Sequence, residues 1–172
     1  MASLVDTLID VLNREDTEYR QIIELSSRKT QAIVKGDIDE LEHVTDDEQL
    51  IVDRINACEK ERASTMKEIA KILNTDVSGL KLSVLISLLD KSPKEQKALA
   101  KIHDKLHETL HEVKLINERN EELLNSAREM VDFNLTLIQS MRKAPETANY
   151  NRGAYNTGST MGSMEGGFDA KQ

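Results

Sequence analysis

Between Pro93 and Pro145, the only two prolines in the chain, there is neither a glycine nor a proline. Nothing in that interval breaks a helix, since those two residue types carry the large helix penalties. Ser92-Pro93-Lys94-Glu95 reads as a helix start, with Ser at the N-cap, Pro at the first helical position and Glu at the third. A stripe at helical spacing follows: Leu99, Ile102, Leu106, Leu110, Val113, Ile116, Asn120, Leu124, Ala127, Val131, Leu135 and Ile138. That is roughly 50 residues, on the order of 75 Å of helix. A chain built around such a rod has to arrange everything else along it.

The upstream half supplies the partners. Ser3 reads as the cap of a first helix whose apolar positions are Leu4, Leu8, Leu12, Tyr19, Ile22, Ile23, Ile33 and Val34. Gly36 suits the left-handed residue that ends it. Asp37 then caps a second helix, with Glu40 three residues on. In that helix a seven-residue frame places Leu41, Glu48, Ile55, Arg62 and Ile69 on one seam position. Val44, Ile51, Cys58, Thr65 and Ile72 take the other. Asn74-Thr-Asp-Val-Ser-Gly79 ends it with turn-forming residues. A short apolar segment, Leu80 to Leu89, reads as a brief helix that closes one end of a bundle, with a docking patch as the other reading.

The expected fold is therefore all-α: an extended antiparallel helical hairpin plus one long C-terminal helix, a three-helix bundle or coiled coil. Residues 1–143 form this helical domain. Residues 144–172 hold five of the seven glycines and three of the five aromatics, Tyr150, Tyr155 and Phe168. Without periodic apolar spacing they read as a disordered C-terminal tail. It contains a short repeat, Tyr150-Asn-Arg-Gly153 and Tyr155-Asn-Thr-Gly158, of the kind a linear recognition segment uses.

Charge and composition exclude several functions. A net charge of −8 argues against nucleic acid and against an anionic membrane surface. No run approaches the ~18 apolar residues of a membrane span, and the N-terminus lacks the pattern of a signal peptide. One cysteine, Cys58, forms no internal disulfide and reads as a small apolar residue in a helix seam of a cytoplasmic protein. With no Trp, two Phe and three Tyr, there is little to line a substrate pocket.

One motif does resemble an enzyme. His107-Glu108-Thr109-Leu110-His111 has the H-E-x-x-H letters of zinc peptidases, in which two His bind metal and Glu is the base. The extension that would supply a third ligand needs Gly at 114 and His at 117, where this chain has Lys114 and Asn117. Glu118 lies on the same unbroken helix and cannot fold back. His103, His107 and His111 form a row that reads as a solvated face, able to take up Zn²⁺ or Ni²⁺ only adventitiously. No catalytic residue, metal site or cofactor is expected, and the chain does not read as an enzyme.

Geometry singles out the end of the long helix instead. Running back alongside the hairpin, it should reach the turn at Gly36 near position 129, with 14 or so residues left over. That segment carries Met130, Val131, Phe133, Leu135, Leu137, Ile138 and Met141. An apolar helix end with no internal partner is a candidate interaction site, and methionines adapt to varied surfaces.

The run Gln31-Ala-Ile-Val-Lys-Gly-Asp-Ile-Asp-Glu-Leu41, then Glu48, then Cys58-Glu-Lys-Glu-Arg62, resembles the FlgN family of flagellar export chaperones. Glu18-Tyr19 in the opening helix, the Asn- and Leu-rich stretch from Asn117 to Leu124, and a Tyr/Gly tail fit the same pattern. The resemblance covers essentially 1–155, and nothing is carried to 159–172. It implies a cytosolic chaperone that binds the C-terminal helices of the hook-associated proteins FlgK and FlgL. Such a chaperone prevents their premature association and delivers them to the type III export apparatus. It also implies that a tail tyrosine, Tyr150 or Tyr155 by position, docks on the export-gate component FlhA. The alternative is a structural coiled-coil adaptor that self-associates as a homodimer through the same leftover helix end.

Overall fold

The computed structural model describes residues 2–76 and 80–143. Among them all regular structure is helical: α1 (Ala2–Lys35), α2 (Ile38–Leu73), α3 (Leu82–Leu88) and α4 (Pro93–Lys143). Met1–Asn134 forms one compact unit, and a second begins at Leu135. The tail 144–172, with Tyr150, Tyr155 and Phe168, lies outside the described residues.

The punctuation acts as its chemistry requires. Gly36 ends α1 at φ +67°, a conformation that suits a residue without a Cβ. The Asp37 side chain accepts a hydrogen bond from the Glu40 backbone N–H at 3.0 Å, capping α2. Asn74 closes α2 in the left-handed region at φ 50°. Pro93 opens α4, where its missing N–H costs nothing. Ser3 is the exception: α1 already includes Ala2, so Ser3 lies inside the helix, and its carbonyl accepts from the Thr7 hydroxyl.

Cross-links between helices give their directions. Arg14–Glu61, Arg54–Glu18 and Arg28–Glu40 join α1 to α2 at 2.7, 2.9 and 2.8 Å, with the sequence separation shrinking towards Gly36. The two helices are therefore antiparallel. Bonds from α4 climb α1 in the same sense, Thr109 to Asp16 at 2.6 Å and Asn120 to the Ser26 carbonyl at 2.9 Å.

The main core lies at the end away from Gly36. Val5, Leu8 and Leu12 of α1 meet Ile69 and Ala70 of α2, Leu99, Ile102 and Leu106 of α4, and Leu80, Leu85 and Leu89 around α3. The short apolar segment is thus a plug, with Val84 and Leu88 left on its outer side. A smaller cluster of Ile22, Ile51 and Ile55, flanked by Tyr19, Leu25 and Val113, continues towards the turn. Cys58 is buried in the α2 seam.

Three readings of the apolar pattern need correction. Val34 and Ile72 are exposed, and beyond Ile69 the helix turns Ala70 and Leu73 inward instead of Ile72. In α4 the inward positions are Leu99, Ile102, Leu106, Thr109, Val113, Ile116, Asn120, Leu123 and Ala127, a strict alternation of three and four. Leu110 and Leu124 sit one residue outside it, because Thr109 and Leu123 hold those places.

Replacing the fully buried plug residue, Leu85→Ala, is expected to destabilise the protein by about 2–5 kcal/mol in urea unfolding. Val84→Ala on the outer side should stay within about 0.5 kcal/mol. Equal effects would show that α3 does not close the core.

Candidate partner-binding surface

The register of α4 on α1 is set by polar groups at positions where a coiled coil ordinarily holds apolar ones. Asp16 is fully buried and receives Lys105 Nζ at 2.7 Å, the Thr109 hydroxyl at 2.6 Å and Arg20 Nε at 3.1 Å. About three turns on, Asn120 donates to the Ser26 backbone carbonyl and its Oδ1 takes the Thr30 hydroxyl. The Ser26 hydroxyl also reaches Glu48 at 3.2 Å, and Glu48 is paired with Lys29 at 2.6 Å. Sliding α4 by one turn would leave these buried groups without partners, at a cost of about 1–3 kcal/mol each.

Glu15 and Asp16 are neighbours with opposite fates. Burial pushes the Asp16 carboxyl up, but hydrogen bonds from Lys105, Thr109 and Arg20 outweigh it and hold the group below the usual range. Glu15 is buried against α2, and burial raises it; Arg62 offsets this only in part, and Glu59 adds to it. The reason is geometric. Arg62 Nε stands 3.6 Å from Glu15 Oε2, too far for a hydrogen bond, and that oxygen accepts none. Tyr19, one turn on, is raised by its own burial and by the Glu15 charge.

Once α4 is held in this register, its last half-buried side chains are Leu123 and Ala127. From Arg128 to Arg142 every residue is exposed. In the first unit these include Met130, Val131 and Phe133, with Phe133 66% exposed. In the second, Leu135, Leu137, Ile138 and Met141 are exposed, Met141 by 70%. All seven residues singled out from the sequence are thus helical and open to solvent.

The His row does not converge on a metal. His103 Nδ1 is 3.0 Å from Asp104 Oδ1, His107 and His111 are exposed, and the described residues contain no metal-holding group. Nor is any described helix long and apolar enough to cross a membrane. Sequence reasoning missed Glu15, Asp16, Ser26 and Thr109. For Glu15 and Ser26 the signal was present: Val5, Leu8, Leu12, Glu15, Tyr19, Ile22, Ser26, Lys29 and Ile33 repeat at three and four along α1.

Comparison with known proteins adds three findings. The family described as FlgN protein matches residues 1–157. An uncharacterized protein of Bacillus subtilis (strain 168), YvyG, is 24% identical over 144 residues, covering 84% of this chain and 83% of its own length. No solved structure matches.

The raised carboxyl makes a signed prediction. The folded state keeps the Glu15 proton to a higher pH than the unfolded chain does. Ionisation therefore costs stability as pH rises from the ordinary glutamate value through the raised one. Asp16 has the reverse sign, contributing stability that is lost as pH falls through its lowered value. Glu15→Gln should accordingly gain stability relative to the natural chain as pH is raised from the ordinary glutamate value, about 4.3, towards neutrality in urea titrations. A constant difference across that range would contradict the assignment.

Proposed function

Because this chain belongs to the FlgN family of flagellar export chaperones, we propose that it is a cytosolic chaperone for the hook-associated proteins FlgK and FlgL. It binds their C-terminal helices, prevents premature association, and delivers them to the flagellar type III export apparatus. The antiparallel hairpin of α1 and α2, with α4 alongside as a third helix, is the scaffold. Met130, Val131, Phe133, Leu135, Leu137, Ile138 and Met141 are the client-binding residues. Tyr150 or Tyr155 of the tail docks on the gate component FlhA.

The observation that carries this reading is the apolar run of α4 that remains exposed after its polar contacts to α1 are made. A client's amphipathic helix laid along it removes large apolar side chains from water, at about 1.5–3 kcal/mol for each one fully buried. Ordering and association costs reduce that total. Thioethers at 130 and 141 adapt to more than one client surface.

The same run also suits a second reading, a homodimeric coiled-coil adaptor, because exposed apolar helix ends pair with copies of themselves. One truncation separates the two. A chain ending at Glu129 keeps every buried residue among the described ones but should lose FlgK and FlgL in co-purification while remaining folded. Retained binding would overturn the client-site reading. A dimer that becomes monomeric by light scattering on the same truncation would favour the adaptor.

A further inference from the structure

We propose that the partner helix seated on the end of α4 continues into a groove between α2 and α4, and that this groove selects a basic amphipathic helix. The proposal rests on the client-binding reading above and extends its site onto the helical body.

Leu110 and Leu124, displaced from the core, are 39% and 37% exposed. With Asn117 and Val131 they form a second row, Leu110, Asn117, Leu124, Val131, at a seven-residue spacing. That row leads directly to the first residues of the exposed run. Beside it lies a cavity of about 410 Å³ with Ile22 of α1 at its floor, Val52 of α2 on one wall and Asn117, Glu121 and Leu124 of α4 on the other. Asn120, also in its lining, ties α4 to the Ser26 carbonyl of α1. The groove therefore offers what a helix recognises: a strip of exposed apolar side chains at heptad spacing with amides between them.

Charge identifies the occupant. From Leu41 to Asp53, α2 carries five acids and no Lys or Arg. From Asn117 to Asn125, α4 carries three acids against one Arg. Within the groove Lys29 and Glu48 neutralise one another, so Glu121 sets the sign of the lining. A helix with an apolar stripe edged by Lys or Arg meets complementary charge at Glu121 on the α4 wall. A second copy of this chain would set acid against acid.

The test uses the full-length protein and the C-terminal segment of its cognate FlgK as probe, titrated by calorimetry. Leu124→Lys and the surface change Glu121→Lys should each weaken binding about tenfold or more. The natural chain should lose more affinity than Glu121→Lys when salt is raised. Replacing the probe's Lys and Arg by Gln should cost the natural chain the same factor. Phe133→Asp, the control for the client-binding reading, should also abolish binding. If Phe133→Asp fails to bind while both groove variants bind normally, the groove proposal falls and the client-binding reading stands. If the groove variants alone lose binding, the two are not one site and the continuous-helix proposal falls. No binding by the natural chain to FlgK or FlgL overturns the reading and the extension together. Self-association that is lost in Leu124→Lys would assign the groove to a second copy and overturn the proposal.

Discussion

The contact on which the rest depends is the pair of polar tethers from α4 to α1: Thr109 and Lys105 on Asp16, and Asn120 on the backbone of Ser26. In a seam that is otherwise aliphatic, a displaced register would exchange satisfied groups for buried orphans. Such groups add little net stability, but they separate one alignment from its neighbours by several kcal/mol when two or three are orphaned together. They set where α4 stops finding partners within the compact unit. The apolar residues after Arg128 are exposed because the helix is longer than the register can use, not because the core is badly made.

Glu15 departs from that logic. It occupies a core position against α2 with an oxygen that accepts no hydrogen bond and an arginine too distant to donate. The two helices that flank α1 are held by different sets of contacts: α4 by the polar groups on Asp16 and Ser26, α2 by surface arginine pairs, Glu48 with Ser26 and Lys29, the isoleucine cluster and the plugged core. Adjacent residues of α1 thus carry a point of electrostatic cost towards α2 and one of polar satisfaction towards α4.

Helix ends were legible in the sequence because each rests on local chemistry: Gly36 for a left-handed turn, Asp37 for orphan N–H groups, Pro93 for a first turn. The α2 seam was legible as far as Ile69 because its residues are mostly aliphatic. Reading failed where the core is polar. Apolar spacing alone favours Leu110 over Thr109, yet the hydroxyl is needed to reach Asp16, and the displaced leucine is left at the groove's edge. It likewise passes over Glu15 and Ser26, whose places in the three-and-four repeat show only when polar residues are admitted to it, and over Asp16, which lies one residue outside it. Of the candidate surface, the seven apolar residues of α4 were legible because the sequence offers them no internal partner; the groove was not, since Leu110 and Leu124 stand outward only because Thr109 and Leu123 take the inward places.

Membership of the FlgN family and an exposed apolar helix end support the proposal that the bundle offers the surplus of its longest helix to a client. Hydrogen exchange along α4, measured on the full chain with and without the FlgK C-terminal segment, tests that proposal most directly. In the free protein, slow exchange is expected from Leu99 to Leu123 and fast exchange from Met130 to Met141. The client should slow the second segment and leave α3 unchanged. A client that protects α3 and the plugged end while Met130 to Met141 still exchanges fast would contradict it.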